Sequence, residues 1–228
     1  MYFLGQGVDQ NHEEAFELFQ QSAALGDPNG QFNLGRIYLH GVGIEQDESS
    51  AAYWFSKAAE QNHSDALLYL ANLTLDGIGV PQDAQKAFKI FQKSAEHGSV
   101  EGLRMTGYCF ETGLGTDKDE TMAFKCYSEA ASGDDASSQF SLGTCFQYGI
   151  GTGVDNTAAF QLYLASANKG FASAQFNLAL MLLNEIGVKR DIENGIRWLH
   201  RAADQGHARA AEGIEYMAAQ GFKLEQTD

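Results

Sequence analysis

Apolar and small residues recur along the chain with a period of 36 residues. Within one period, residues 29–41 and residues 50–61 each place apolar or small side chains three and four positions apart, which indicates two amphipathic helices. Alanine occupies one position of the period at Ala15, Ala51, Ala87, Ala123 and Ala159, and a second at Ala23, Ala59, Ala95, Ala131, Ala167 and Ala203. The pattern therefore predicts an array of helical hairpins, one for every 36 residues.

Glycine and aspartate mark the turn inside each hairpin. The segment GVGIEQD at 41–47 recurs as GIGVPQD at 77–83, GLGTDKD at 113–119 and GIGTGVD at 149–155, and GQGVDQ at 5–10 has the same phase. We expect the first glycine to end one helix and the second to reverse the chain. The aspartate should cap the next helix, at Asp47, Asp83, Asp119, Asp155 and Asp191. A single G-x-G could cradle a phosphate, but regular repetition favours hairpin turns.

A small residue stands in the middle of the first predicted helix of each period. The set comprises Gly35, Ala71, Gly107, Gly143 and Ala179. Glycine inside a helix costs roughly 1 kcal/mol relative to alanine, so its repeated use indicates that a neighbouring helix approaches closely there. In the second helix, the pattern predicts a buried side made of Ala51, Trp54, Phe55, Ala58 and Ala59.

These residues resemble the unit of the Sel-1-like repeat family, a relative of the tetratricopeptide repeats. Residues 66–98 carry the resemblance most closely, with the turn glycines Gly77 and Gly79 and the cap Asp83, and residues 30–59 carry it as well. The resemblance implies an all-α fold, an α/α superhelical solenoid of 36-residue helix-turn-helix repeats. It also implies a protein–protein adaptor, as members of the family usually are.

The repeats are expected to form one domain over residues 1–228. Residues 1–28 supply a partial repeat, residues 29–207 supply five full repeats, and residues 208–228 supply a terminal half repeat and a tail. Met1 falls near the end of a first helix rather than before one, and natural arrays usually carry a polar cap. Further residues before Met1 are therefore expected, with another element that covers Phe16 and Phe19 as the alternative.

Two glutamates depart from the pattern in the last repeats. Glu185 replaces the first turn glycine of the fifth full repeat, which is expected to loosen that hairpin. Glu215 takes the small-residue position of the last predicted helix, and a polar side chain there suits a helix that has no further neighbour.

The charge balance excludes some partners and favours others. The chain has 30 acidic residues against 15 lysines and arginines, a net charge of −15, and no basic footprint for nucleic acid. A protein or peptide partner of basic or amphipathic character fits this charge better. No apolar run approaches the ~20 residues of a membrane span, so membrane insertion is not expected. The start of the sequence lacks the basic and apolar regions of a secretory leader, which favours a cytoplasmic location.

Cysteine and histidine are the candidates for chemistry. Cys109, Cys126 and Cys145 occupy core positions of the period, which favours buried thiols, with a disulfide between Cys109 and Cys126 as the alternative. The six histidines lack the spacing of metal ligands and are expected in loops or on the surface. No catalytic residue, metal or cofactor is therefore expected. An enzyme, for instance one that uses a thiol, is kept as a third hypothesis.

The outward positions of the first helices form the predicted binding face. The resemblance implies that first helices line the concave side of the solenoid, where a peptide or helix would lie. Tyrosine, arginine and asparagine at such positions suit the capture of a protein segment. We define the predicted binding face as Arg36, His40, Asn72, Asp76, Arg104, Tyr108, Glu111, Thr144, Gln147 and Tyr148.

Two non-catalytic functions follow from this organisation. The first is a scaffold or adaptor that grips a protein segment along its concave face without chemistry. The alternative is a structural or regulatory subunit of a larger complex, in which the ends of the array stack on other domains. The sequence names neither the partner nor the pathway.

Overall fold

The computed structural model describes residues 12–222, which form twelve α-helices and, within this range, no strand. The helices are α1 His12–Ala24, α2 Pro28–His40, α3 Glu48–Glu60, α4 Ser64–Asp76, α5 Ala84–Glu96, α6 Val100–Thr112, α7 Glu120–Ala131, α8 Ala136–Tyr148, α9 Asn156–Asn168, α10 Ala172–Asn184, α11 Ile192–Asp204 and α12 Ala208–Ala219. From α2 to α11, each repeat contributes a first helix and a second helix, as the period predicts. The expected interruption of the first helix at Met1 lies outside the described residues.

The chain divides into two compact units, Met1–Lys118 and Asp119–Asp228. In unit 1, each helix from α1 to α6 packs against the next helix along the chain. In unit 2, each helix from α7 to α12 does the same. Successive contacts of this kind build a core from neighbouring repeats alone, which is typical of repeat proteins.

The aspartates before the second helices are N-caps, as predicted. Asp47 accepts a hydrogen bond from the backbone N–H of Ser50, and the other four make equivalent bonds to residues of the first turn. These bonds satisfy N–H groups that have no partner inside the helix. Each second helix therefore begins at a position that the sequence specifies locally.

The two turn glycines have different roles. Gly113 ends α6 in the left-handed conformation, with φ +76°, and its N–H donates to the carbonyl of Cys109. Gly115 also has a positive φ, but a Cβ at this residue would overlap the carbonyl oxygen of Ala84, at the start of α5. The second glycine is thus needed both for the turn and for contact between one hairpin and the preceding repeat.

Close approach of helices explains the small residue of the first helix. A Cβ at Gly35 would lie 2.8 Å from two ring carbons of Phe55, and a Cβ at Gly143 would lie 2.9 Å from the Tyr163 ring. In both cases the large side chain belongs to the second helix of the same repeat. The close-approach interpretation is therefore confirmed at these two positions. Of the residues predicted to be buried in α3, only Trp54 is partly exposed.

The prediction of a loosened hairpin at Glu185 is wrong. Glu185 adopts the left-handed conformation at φ 58° and ψ 40°, and its N–H donates to the carbonyl of Met181 as the glycines do in other repeats. The turn geometry is preserved, and the strain is carried by the glutamate backbone. A residue with a Cβ pays about 1–2 kcal/mol in this conformation.

We expect the substitution Glu185→Gly to stabilise the protein by about 1 kcal/mol, because it removes that strain. It also removes a negative charge from a helix C-terminus, where the helix dipole disfavours it. The midpoint of guanidinium unfolding, followed by circular dichroism, measures the change. Glu185→Ala is the control, since it removes the charge and keeps the strained backbone. Equal stability of the two variants would contradict the strain argument.

Candidate protein-binding surface

The first helices of unit 1 expose part of the predicted binding face. Four of its members are exposed: His40 on α2, Asn72 and Asp76 on α4, and Tyr108 on α6. Tyr108 is 41 % exposed, although its ring could bury a large apolar area. These four side chains are therefore available to a partner.

The remaining residues of the face in unit 1 are half-buried and engaged by neighbours. The Nε and Nη2 atoms of Arg104 donate to the carboxylate of Glu101 at 2.8 and 2.5 Å. The guanidinium carbon of Arg36 lies 5.8 Å from the centroid of the Phe32 ring. Glu111 is also half-buried and has a partner. The two arginines are thus compensated locally, which weakens their role as free cations on this surface.

In unit 2, two residues of the predicted binding face are tied to the core. The hydroxyl of Tyr163 donates to Oε1 of Gln147 at 2.8 Å and lies 3.1 Å from Oγ1 of Thr144. Burial of the Tyr163 ring raises the pKa of its hydroxyl, because the phenolate would be poorly solvated. Tyr148 is free of this network and is 66 % exposed. It is the member of the face in this unit that a partner could most readily contact.

An open groove of about 380 Å³ lies among α10, α11 and α12 in unit 2. Its lining mixes apolar and polar surface, and Asn184, Arg190 and Gln220 supply polar side chains. The apolar and small lining residues are Leu180, Leu183, Leu199, Gly213, Tyr216, Met217 and Phe222. Three lining residues stand at outward positions of α10, namely Leu180, Leu183 and Asn184. These are the positions of the period that define the predicted binding face on the earlier first helices.

Two changes within the period open this groove. Leu199 stands 36 residues after Tyr163, and Gly213 stands 36 residues after Asn177. In the preceding repeat, the Tyr163 hydroxyl reaches Thr144 and also interacts with the Asn177 side chain. Leu199 lacks the hydroxyl of Tyr163, and Gly213 lacks the amide of Asn177, so both polar groups and their volume are missing. The space is therefore left open between α10 and α12.

The sequence interpretation did not select the groove. Arg190 precedes the cap of α11. Tyr216 lies on α12 and Gln220 directly follows it, beyond the repeats used to define the face. Arg190 stands at the position that Val154 holds one period earlier. This replacement of an apolar residue by a cation is the sequence feature that could have indicated the site. The shape could not be inferred, because it depends on missing volume in two different helices.

The three cysteines are free and buried, which supports the core interpretation and not the disulfide. Burial raises the pKa of the Cys109 thiol to about 11, and burial together with Glu129 raises the pKa of the Cys126 thiol. The thiolate is the nucleophilic form of cysteine. Both shifts therefore act against thiol catalysis near neutral pH.

We expect the native thiols to resist modification. A pKa of about 11 in place of 9.0 lowers the thiolate fraction of Cys109 about 100-fold at pH 8. Reaction of Cys109 with Ellman's reagent should accordingly be at least about 100-fold slower in the folded protein than in guanidinium, and burial should also slow the reaction of Cys126 and Cys145. The protein unfolded in guanidinium is the control for total thiol content. Rapid reaction of one thiol in the native protein would contradict the assignment.

Two histidines have a structural role at the junctions between repeats. His63 stacks on Phe32 with ring centroids 4.8 Å apart, and its Nδ1 accepts a hydrogen bond from the N–H of Ala66 at the start of α4. His207 stacks on Phe176 at 4.7 Å. Among residues 12–222, no group of three or more His, Cys, Asp or Glu side chains is arranged to hold a metal ion. In the same range, no helix has the length and apolar character needed to cross a membrane.

The sequence matches the Sel1 repeat family in consecutive segments. The matched residues are 1–27, 28–63, 64–99, 100–135, 136–171 and 172–207. The chain belongs to the Sel1 repeat family. Its all-α fold, an α/α superhelical solenoid of 36-residue helix-turn-helix repeats, is the one that the resemblance implied. Sel1 repeats generally serve as non-catalytic scaffolds for protein–protein interaction.

Solved structures of other Sel1 repeat proteins are similar to this one. A Sel1 repeat protein from Oxalobacter formigenes is 35 % identical, with a TM-score of 0.85, over 90 % of this chain and 84 % of its own. A protective antigen present in uropathogenic Escherichia coli strains, described as having an SLR fold, is 28 % identical with a TM-score of 0.81. That match covers 99 % of this chain and 49 % of the antigen, so this chain spans about half the length of that protein. No curated protein matches the chain significantly.

Proposed function

We propose that this Sel1 repeat protein is a scaffold that binds a segment of another protein on the outward side of its first helices. The observation that carries the proposal is the placement of exposed tyrosines. Tyr108, Tyr148 and Tyr216 are 41 %, 66 % and 65 % exposed, and all three stand at outward positions of first helices. Tyrosine is enriched among residues that dominate binding energy at protein interfaces.

The charge of the chain supports a partner of basic or amphipathic character. The net charge is −15, and Asp76 is exposed on the predicted binding face of unit 1. Opposite charge on the partner would accelerate encounter, while apolar contacts at the tyrosines would supply most of the affinity. The fold provides the repeated helices, and the side chains at their outward positions determine the partner.

Affinity purification from a lysate of the source organism tests this function. The wild-type protein is compared with the double variant Tyr108→Ala/Tyr148→Ala, and the bound proteins are quantified by mass spectrometry. Each lost tyrosine at an interface hot spot costs about 2 kcal/mol, so we expect at least tenfold weaker capture of specific partners.

Tyr53→Ala is the matched control. Tyr53 is 54 % exposed but lies on α3, a second helix. This variant should retain the partners. Equal capture by the wild type and the double variant would contradict the proposal and move binding to another surface.

A further inference from the structure

We propose that the groove among α10, α11 and α12 anchors the partner through a bulky apolar side chain that is adjacent to a carboxylate. This inference rests on the proposed binding function and names the chemistry recognised at one end of the surface. The groove lies wholly in unit 2 and is lined by residues from three successive helices, from the turn between α10 and α11, and from the segment directly after α12.

The size and lining of the groove favour an apolar anchor. A volume of about 380 Å³ lies at the lower end of the range of small-ligand pockets, which suits one or two large side chains. Leu183, Leu199 and Met217 supply apolar walls, and Leu199 and Met217 belong to the buried core. These walls are therefore held in place before a ligand arrives, which lowers the entropic cost of binding.

Arg190 gives the groove a charge preference. It is exposed, and within residues 12–222 it forms neither an ion pair nor a hydrogen bond. The next acid along the chain, Asp191, is engaged as the N-cap of α11 and bonds to Asn194. The guanidinium group can bind a carboxylate through two parallel hydrogen bonds. Such a pair is strengthened where apolar walls exclude part of the solvent.

The charge around the groove differs from that of the rest of the chain. Residues 186–222 contain five basic and five acidic side chains, whereas the whole chain has a net charge of −15. The repulsion that an acidic ligand meets elsewhere is thus reduced at this end of unit 2. An apolar residue beside an aspartate, a glutamate or a terminal carboxylate matches both the walls and the cation.

The side chain of Gln220 adds a polar contact at the edge of the groove. Its amide has no hydrogen-bond partner within the described residues, so it can bond to the backbone of an incoming segment. Asn184 is different, because its Nδ2 already donates to the carbonyl of Leu180 at 2.8 Å. The groove therefore places the free donors of Arg190 and Gln220 next to its apolar residues.

Binding of three sets of fluorescein-labelled peptides tests the inference. The sets share the same leucine, phenylalanine and methionine positions, and their polar positions carry Asp and Glu, Asn and Gln, or Lys and Arg. Fluorescence anisotropy gives the Kd of each peptide for the full chain. We expect the best acidic peptides to bind at least about tenfold more tightly than their amide counterparts, a difference of about 1.4 kcal/mol.

Variants at the groove locate the effect. Arg190→Gln should abolish the preference for acidic over amide peptides, whereas Lys189→Gln, at an exposed neighbour outside the lining, should keep it. Leu199→Tyr/Gly213→Asn restores the residues of the preceding repeat and should weaken all apolar peptides at least tenfold. Circular dichroism verifies that this double variant folds. If it does not fold, the comparison of Arg190→Gln with Lys189→Gln still tests the inference.

Several results would overturn the inference. Equal binding of acidic and amide peptides, or a preference for the basic set, would contradict the proposed chemistry and leave the scaffold function intact. Unchanged acidic binding in both groove variants would place the site elsewhere. Self-association that the double variant abolishes, without acidic-peptide binding, would identify a second copy of the chain as the occupant. The scaffold function itself fails only on the separate tyrosine experiment.

Discussion

Replacing Gly115 with alanine should lower the free energy of unfolding by about 2–5 kcal/mol. Alanine at φ +72° costs about 1–2 kcal/mol, because its Cβ crowds its own backbone. The new Cβ would also overlap the carbonyl oxygen of Ala84, so the hairpin or the start of α5 must move. A rigid backbone cannot yield as a flexible side chain would, and overpacking of this kind costs a further ~1–3 kcal/mol. Guanidinium unfolding followed by circular dichroism measures the loss.

Gly113→Ala separates the two contributions. Gly113 lies in the same turn at φ +76°, but the nearest atoms to a Cβ there are 3.6 Å away. This variant should lose only about 1–2 kcal/mol from backbone strain. If both variants lose the same stability, the contact between the turn and the preceding repeat contributes nothing, and the glycine is required for chain reversal alone.

Replacing Phe55 with alanine should destabilise the protein by about 3–5 kcal/mol, the usual cost of removing a buried phenylalanine. Phe55 is fully buried, and its ring centroid lies 5.0 Å from that of Tyr69 and 5.8 Å from that of Phe32. Gly35→Leu alone should cost about 1–3 kcal/mol, since its side chain would enter the space of the Phe55 ring. In the double variant, the leucine can occupy the cavity left by the ring. The combined loss should therefore be at least ~1 kcal/mol smaller than the sum of the single losses.

The matched control combines Gly35→Leu with Phe91→Ala. Phe91 is fully buried at the equivalent position of the next repeat and does not face Gly35. These two losses should add to within about 0.5 kcal/mol. If the stability losses of Gly35→Leu and Phe55→Ala are also additive, the Phe55 ring is not the reason that glycine is required at residue 35.

Local features of the fold could be predicted where a backbone group has one good partner nearby. Asp47 caps α3 because its carboxylate reaches the first N–H groups of the helix from the adjacent position. Glu185 shows the limit of this reasoning. Nothing local favours its left-handed backbone, yet the turn is kept because the packed helices on either side require the chain to reverse there.

The candidate binding surface was predictable in outline but not in detail. Exposure of Asn72, Asp76 and Tyr148 follows from their phase on the helices. The restraint of Gln147 by the Tyr163 hydroxyl does not follow from phase, because the donor lies on the other helix of the hairpin. Which outward residues are free for a partner therefore depends on the length of side chains that reach them from the core.

The sequence by itself determined the repeat length, the helical hairpins, their caps and the family of this protein. These features depend on patterns that recur every 36 residues and on bonds between near neighbours in the chain. Only the tertiary structure decided where the repeated surface opens into a groove. The groove forms where Leu199 and Gly213 stand in place of Tyr163 and Asn177 of the preceding repeat. Arg190 lies at the edge of this groove. Missing volume has no periodic signature of its own, since its effect depends on which helices face each other in three dimensions.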